Sequence, residues 1–189
     1  MRTPLLEGIR ALADDLNRAG IPWQAGSSVL LWFHGLEEDP GDLDLFFPPE
    51  EEKRVKEFFL CRGILKSPPG CDPYRTRWFY RVDLAGVEVD LMGGFALMTP
   101  EGICRMEMVP GPPGQLPGGQ TVPLGTLEEW LVLYCLMGRE HRVRVLERHL
   151  SDQGIRHPEV LRRFLAGPLS PGCRIRIQRL LKKAGVNFE

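Results

Sequence analysis

The sequence predicts an α/β fold of the α+β kind, a mixed β-sheet flanked by helices and followed by a helical C-terminal segment. Three observations predict it. Helical and strand-like apolar patterns alternate through the first hundred residues, two alternating segments around a glycine read as a β-hairpin, and only helical periodicity follows the Pro- and Gly-rich stretch 110–119. With 189 residues, 43% of them hydrophobic, the chain is long enough to bury a sizeable core.

Each element has its own signal. Leu5, Ile9, Leu12 and Leu16 recur on one helical face, and Gly20 stops that helix. Residues 21–25 predict a strand, Gly26 a close turn, and Ser27 and Ser28 the cap of a short helix through the apolar run 29–33. In Asp42-Leu43-Asp44-Leu45 the period of two sends Leu43 and Leu45 into the core and leaves Asp42 and Asp44 side by side on the other face. A helix is predicted over 49–62, with Glu50, Glu51 and Glu52 in its first turn, Val55, Phe58 and Phe59 inward, and Gly63 at its end. Trp78-Phe79-Tyr80-Arg81-Val82-Asp83-Leu84 and Val87-Glu88-Val89-Asp90-Leu91 flank Ala85-Gly86 as a hairpin, with Glu88 and Asp90 sharing a face. Thr126-Leu127-Glu128-Glu129 is a capping box, and helices follow over 140–150, 158–165 and 171–183. The chain thus divides into 1–109, a connection over 110–125, and a helical region over 126–189.

Two carboxylates on one face repel unless the site is wet or a divalent cation lies between them. Mg²⁺, with its preference for oxygen, suits carboxylates combined with substrate phosphates. Backbone N–H groups at the start of the helix after Gly26 offer a place for an anionic phosphate. If the hairpin lies beside the Asp42 strand, a third carboxylate joins the pair and can bind metal or take a proton from an attacking hydroxyl. The residues therefore point to metal-dependent phosphoryl or nucleotidyl transfer.

At these positions the chain resembles the nucleotidyltransferase superfamily, which includes polymerase-beta-like enzymes, small bacterial nucleotidyltransferases and antibiotic adenylyltransferases. The resemblance rests on Ala25-Gly26-Ser27, then Asp42-Leu43-Asp44-Leu45, then Val89-Asp90-Leu91. The spacer from Ser27 to Asp42 is longer than the family's usual one, extended by the turn at 37–41, and Glu88 stands as a second acid beside Asp90. The resemblance implies a nucleotidyltransferase-like catalytic domain that moves a nucleoside monophosphate from a nucleoside triphosphate to a hydroxyl-bearing acceptor and releases pyrophosphate. Asp42, Asp44 and Asp90 would be the catalytic and metal-binding residues, with Mg²⁺ or Mn²⁺ as the ion. Gly26, Ser27, Ser28 and Arg81 would hold the nucleotide, and Asp90 would also help deprotonate the acceptor. The alternative is a catalytically inactive module of this fold that binds nucleotide, RNA or a protein partner.

Composition narrows the other classes. No run approaches the roughly 20 apolar residues of a membrane span, and the N-terminal pattern is an amphipathic helix, so the cytoplasm is expected. Five cysteines without a Cys-x-x-Cys pair argue against a disulfide framework and against a zinc site. The histidines have no metal-ligand spacing, and no hydrolase motif accompanies them. Charge is divided unevenly: residues 139–183 carry 12 Lys and Arg against 4 Asp and Glu, while residues 1–138 carry 12 against 20. Such a field attracts anions, but no RNA-binding signature goes with it, so a small-molecule acceptor is expected ahead of RNA. Arg75, Arg77 and Arg81 alternate and could line one face toward a triphosphate. Segments 67–76 and 110–117 are the expected loops for acceptor specificity.

Overall fold

The computed structural model describes residues 3–37 and 39–186; Met1, Arg2, Glu38 within the expected 37–41 turn, and 187–189 at the end of the expected helical region lie outside the described residues. Helix α1 (Thr3–Arg18) leads to strand β1 (Gln24–Ala25), helix α2 (Ser27–Phe33) and strand β2 (Leu43–Phe47). A 3-10 turn at Pro49–Glu51 opens α3 (Glu52–Leu60), and the hairpin β3 (Trp78–Leu84) and β4 (Val87–Gly93) follows. These strands form one mixed sheet in the order β1-β2-β4-β3, antiparallel at β1/β2 and β3/β4 and parallel at β2/β4. The parallel pairing is what brings Asp44 level with Asp90 across neighbouring strands.

Local chemistry explains most of these elements. Leu5, Ile9, Leu12 and Leu16 of α1 are buried, as are Leu43 and Leu45 of β2 and Val87, Val89 and Leu91 of β4. In α3, Val55 and Phe59 are buried and Phe58 is half-buried. Both residues of the β3–β4 turn have positive φ, Ala85 at 54° and Gly86 at 84°, and the Gly86 N–H donates to Asp83 Oδ1 at 2.8 Å. Positive φ at both central positions suits the right-handed twist of a hairpin, although alanine adopts it at a cost. The first strand is shorter than 21–25. Pro22 has no N–H to give a ladder, and the Ile21 N–H caps α1 at Leu16 O, so pairing begins at Gln24.

Two small hairpins, β5 (Ala96–Thr99) with β6 (Gly102–Arg105) and β7 (Gly114–Gln115) with β8 (Thr121–Val122), separate the sheet from the helices. The second lies within the Pro/Gly-rich connection, which also docks on α1 through Arg10 to Pro117 O and Asn17 to Thr121 O.

Helices α4 (Leu127–Leu136), α5 (Glu140–Gln153), α6 (Pro158–Ala166) and α7 (Pro171–Lys183) complete the chain. Helix α4 is buried on all sides over Leu127 to Tyr134, which makes it the centre of the helical region. Its N-cap is half of the expected capping box. Thr126 Oγ1 accepts from the Glu129 N–H at 3.2 Å, but the Glu129 carboxylate turns to the Glu107 and Val109 N–H groups instead of back to Thr126. Glu128 likewise accepts from the N–H groups of Arg156 and His157. An aromatic chain then ties α4 to the sheet: Phe46 meets Trp130 at 5.3 Å and Phe95 at 5.4 Å, and Trp130 meets Tyr134 at 5.2 Å between ring centroids. No helix among the described residues is long and apolar enough to cross a membrane.

Candidate functional site

A cavity of about 780 Å³ lies over one face of the sheet, between it and helices α4 and α5. A cleft of about 870 Å³ elsewhere is lined largely by apolar groups such as Trp23, Phe47, Met106 and Met108 and lacks the acidic pair. The smaller cavity holds the chemistry. Asp42, Asp44, Asp90, Ser27 and Arg81 all line it.

Its floor follows from strand alternation and register. Asp44 of β2, Asp90 of β4 and Arg81 of β3 lie on one rung, and Phe46, Met92 and Phe79 lie on the rung two residues further along. A charged row thus adjoins an apolar row. Helix α2 starts at the edge of the charged row, where the Gly26 N–H donates to Asp44 O at 3.2 Å.

The Gly-Ser turn is built differently from the sequence expectation. Gly26 is the N-cap with an extended backbone, φ −134° and ψ −157°, and Ser27 is the residue in the left-handed region, at φ 51°. Glycine is needed at 26 for closeness instead: a Cβ there would lie 2.2 Å from Trp130 Cζ2 and 2.8 Å from Phe46 Cε2. No side-chain cap forms at this helix start. Ser27 Oγ instead faces Tyr134 Oη at 3.4 Å and Arg142 at 3.5 Å, and Arg142 donates to Tyr134 Oη at 2.8 Å. Ser28 is turned into the core, where its Oγ has no partner, and it is not among the cavity's lining residues.

The electrostatics of the three carboxylates differ. Burial raises Asp44 to about 7, the charge of Asp42 adds to the rise and Asp90 contributes more weakly, against a hydrogen bond from Ser27 and the field of Arg142. Asp90, 8% exposed, is gripped by Arg81 through two bonds, Nε to Oδ1 at 2.6 Å and Nη2 to Oδ2 at 2.8 Å. Those bonds push the Arg81 guanidinium further up. Arg81 Nη1 also reaches Glu88 at 3.2 Å, but Glu88 does not line the cavity. Of the two acids on β4, Asp90 is therefore the one that faces the site. Among the described residues no three His, Cys, Asp or Glu side chains converge as a ready cage for a metal ion. The half-buried Asp42–Asp44 pair still suits Mg²⁺, which is commonly held by one or two carboxylates plus substrate phosphates.

Several lining residues were not singled out by sequence reasoning: Tyr74, Trp130, Tyr134, Met137 and Arg139. Arg142, from the basic half, also pairs with Glu37 at 3.4 Å. Other members of that half are likewise held by the protein itself. Arg176 pairs with Glu140 and Glu147, Arg163 with Glu107, and Arg174 bonds the Leu165 and Gly167 carbonyls. Of the alternating arginines, Arg77 and Arg81 line the cavity, whereas Arg75 pairs with Asp72 at 2.5 Å outside the lining. Residues 67–71, within the loop expected to set specificity, form part of the wall.

No family model and no curated protein sequence matches the chain. Its likeness lies in three dimensions. A Thermotoga maritima structure assigned to the nucleotidyltransferases superposes at TM-score 0.63 with 18% identity, covering 80% of this chain and 96% of that one. The chain has the nucleotidyltransferase fold. This nucleotidyltransferase fold is shared with the antibiotic-resistance factor ANT(2'')-Ia, at TM-score 0.58 and 14% identity over 95% of this chain and 90% of that one. It is shared also with the lincosamide antibiotic adenylyltransferase LnuA in its lincomycin-bound form, at TM-score 0.51 and 11% identity over 74% and 94% of the two chains.

Proposed function

We propose that this protein transfers a nucleoside monophosphate from a nucleoside triphosphate to a hydroxyl group of a small molecule, with release of pyrophosphate. The observation that carries the proposal is the Asp42–Asp44 pair, two carboxylates facing one cavity beside Ser27 and Arg142 with the first two lacking an ion-pair partner among the described residues. Asp42 and Asp44 would hold Mg²⁺ together with phosphate oxygens. The ion, when bound, polarises the α-phosphate and neutralises charge on the leaving pyrophosphate. Ser27 and Arg142 bind the phosphates, with Tyr134 fixing the Arg142 guanidinium through its hydroxyl. Asp90, level with Asp44 and held by Arg81, would complete the site for the ion and receive the proton of the attacking hydroxyl, which requires the Arg81 bonds to loosen. The apolar row Phe46, Met92 and Phe79 seats the body of the acceptor. Known folds of this kind include antibiotic adenylyltransferases, which supports a small-molecule acceptor. Free thiols at all five cysteines fit a reducing compartment, the cytoplasm.

The test is calorimetric titration with a non-hydrolysable analogue of each nucleoside triphosphate, with and without Mg²⁺. Binding that requires Mg²⁺ and is lost in Asp42→Asn with Asp44→Asn is the expected result. Binding that is indifferent to both changes overturns the assignment. The Arg81–Asp90 pair also favours a second reading, a module that binds nucleotide without turning it over. Pyrophosphate release in the presence of acceptor separates the two.

A further inference from the structure

The charge inventory of the cavity says what kind of acceptor it takes. Four carboxylates line it, Asp42, Asp44, Glu52 and Asp90, against four arginines, Arg77, Arg81, Arg139 and Arg142. The carboxylates are committed. Asp90 belongs to Arg81, Glu52 accepts from Tyr80 Oη at 2.5 Å and pairs with Lys56 at 3.6 Å, and Asp42 and Asp44 stand at the phosphate end. No acid is left over for an amine on the acceptor.

The arginines are not all committed. Neither Arg77 nor Arg139 makes an ion pair among the described residues. The Arg139 N–H bonds the Tyr134 main-chain carbonyl, which sets its backbone on the Tyr134–Arg142 side of the cavity. Arg77 is at the other end. Strand β3 presents Arg81 to the charged row and Phe79 to the apolar row, and Arg77, anchored through its N–H to Gly93 O, follows two residues beyond Phe79. At about 3.3 Å per residue, Arg77 stands roughly 13 Å along the strand from Arg81, across an apolar shelf. A hydroxyl set at Asp90, an apolar body over Phe46, Met92 and Phe79, and an anion at Arg77 fit that span.

We infer that the acceptor is an anionic hydroxyl compound with an apolar body, bound through Arg77, and that polycationic amines are disfavoured. This rests on the nucleotidyl-transfer reading, whose acceptor it specifies. An exposed guanidinium at the mouth of an aromatic-floored cavity selects for charge sign by Coulomb attraction, and a carboxylate can also meet it bidentately. An amine at the same place meets like charge and no free carboxylate.

Three probes of one shape and different charge test this: 3-(4-hydroxyphenyl)propionate, its methyl ester and tyramine. Their dissociation constants are measured by ligand-observed NMR titration on the full chain saturated with a non-hydrolysable nucleoside triphosphate analogue and Mg²⁺. The expected order is anion, ester, amine, with at least a fivefold gap between the first and last. Arg77→Ala removes the gap and Arg77→Glu inverts it, while nucleotide affinity stays within twofold. Equal or tighter binding of tyramine to the native chain, no binding of any probe, an order unchanged in Arg77→Glu, or a nucleotide affinity that falls with Arg77 overturns the inference. If the native chain binds no nucleotide, the parent reading fails, and the order of the three probes on the nucleotide-free chain still decides this one.

Discussion

Two groups of carboxylates in this molecule, one buried and one half-buried, have opposite surroundings. Glu128 and Glu129 of α4, 2% and 0% exposed, each accept two backbone N–H bonds from segments far away in sequence. Asp44, on the floor of the cavity, faces a second carboxylate and has only Ser27 and the distant field of Arg142 on its side. The first pair is consumed by the fold, acting as splints that hold 107–109 and 156–157 to the central helix. In the proposed reaction the second is what meets the ion and the phosphates. Buried charge whose hydrogen bonds are complete is structural, and buried charge left facing its own sign is where a cation or a reacting group belongs.

Substitutions sharpen this contrast. The largest effect expected is on chemistry: Asp44→Asn lowers nucleotidyl transfer at least 10³-fold, about 4 kcal/mol of transition-state stabilisation, with an unchanged circular dichroism spectrum. Next is Glu129→Ala, which removes the shared acceptor of two part-buried N–H groups and lowers stability by about 2 kcal/mol in denaturant titration, without altering nucleotide affinity in the folded fraction.

The stability effect of Asp44→Asn has the reverse sign. Burial holds the folded carboxyl at about 7, well above the ordinary aspartate value of about 4, so the native state binds the extra proton between those limits. The destabilisation of native protein therefore begins above about pH 4 and is complete near pH 7. Asp44→Asn raises the melting temperature at pH 8, a stabilisation of about 2 kcal/mol once the wetness of the site is allowed for, and leaves it unchanged at pH 4. Mg²⁺ added at pH 8 raises the melting temperature of the native chain and not that of the variant. Equal melting temperatures for the two at pH 8 would remove the electrostatic contrast.

The smallest effects concern the backbone. Ser27 and Ala85 share almost the same positive φ, 51° and 54°, one at the cavity and the other in a hairpin turn. Replacing either by glycine relieves about 1 kcal/mol. Only Ser27→Gly is expected to weaken nucleotide binding, by roughly tenfold for one lost phosphate contact, as titration would show.

Much of this was legible in the chain itself. Asp42, Asp44 and Asp90 could be placed together because strand alternation and a hairpin turn are local rules, and the parallel β2/β4 pairing then set Asp44 against Asp90. Thr126 could be read as a cap for the same reason. What escaped is non-local. Tyr134 and Arg142 reach Ser27 across more than a hundred residues of sequence, and nothing in a helical pattern says which basic residue turns inward. The Arg81 grip on Asp90 follows from cross-strand register, which alternation suggests but does not rank above a free guanidinium. Gly26 was legible as a glycine and misread in purpose, since the Trp130 ring that excludes a side chain there comes from α4. Strands β5 to β8, two to four residues each, are too short for their periodicity to stand out.

That Trp130 ring has one more consequence. Its indole touches the Gly26 turn on one side and the cavity on another, and its N–H has no partner, while Trp78 is a second indole among the lining residues. Occupancy of the cavity is therefore written into the protein's own ultraviolet emission, and half of its four tryptophans are positioned to change colour or intensity when a ligand arrives, with no label attached.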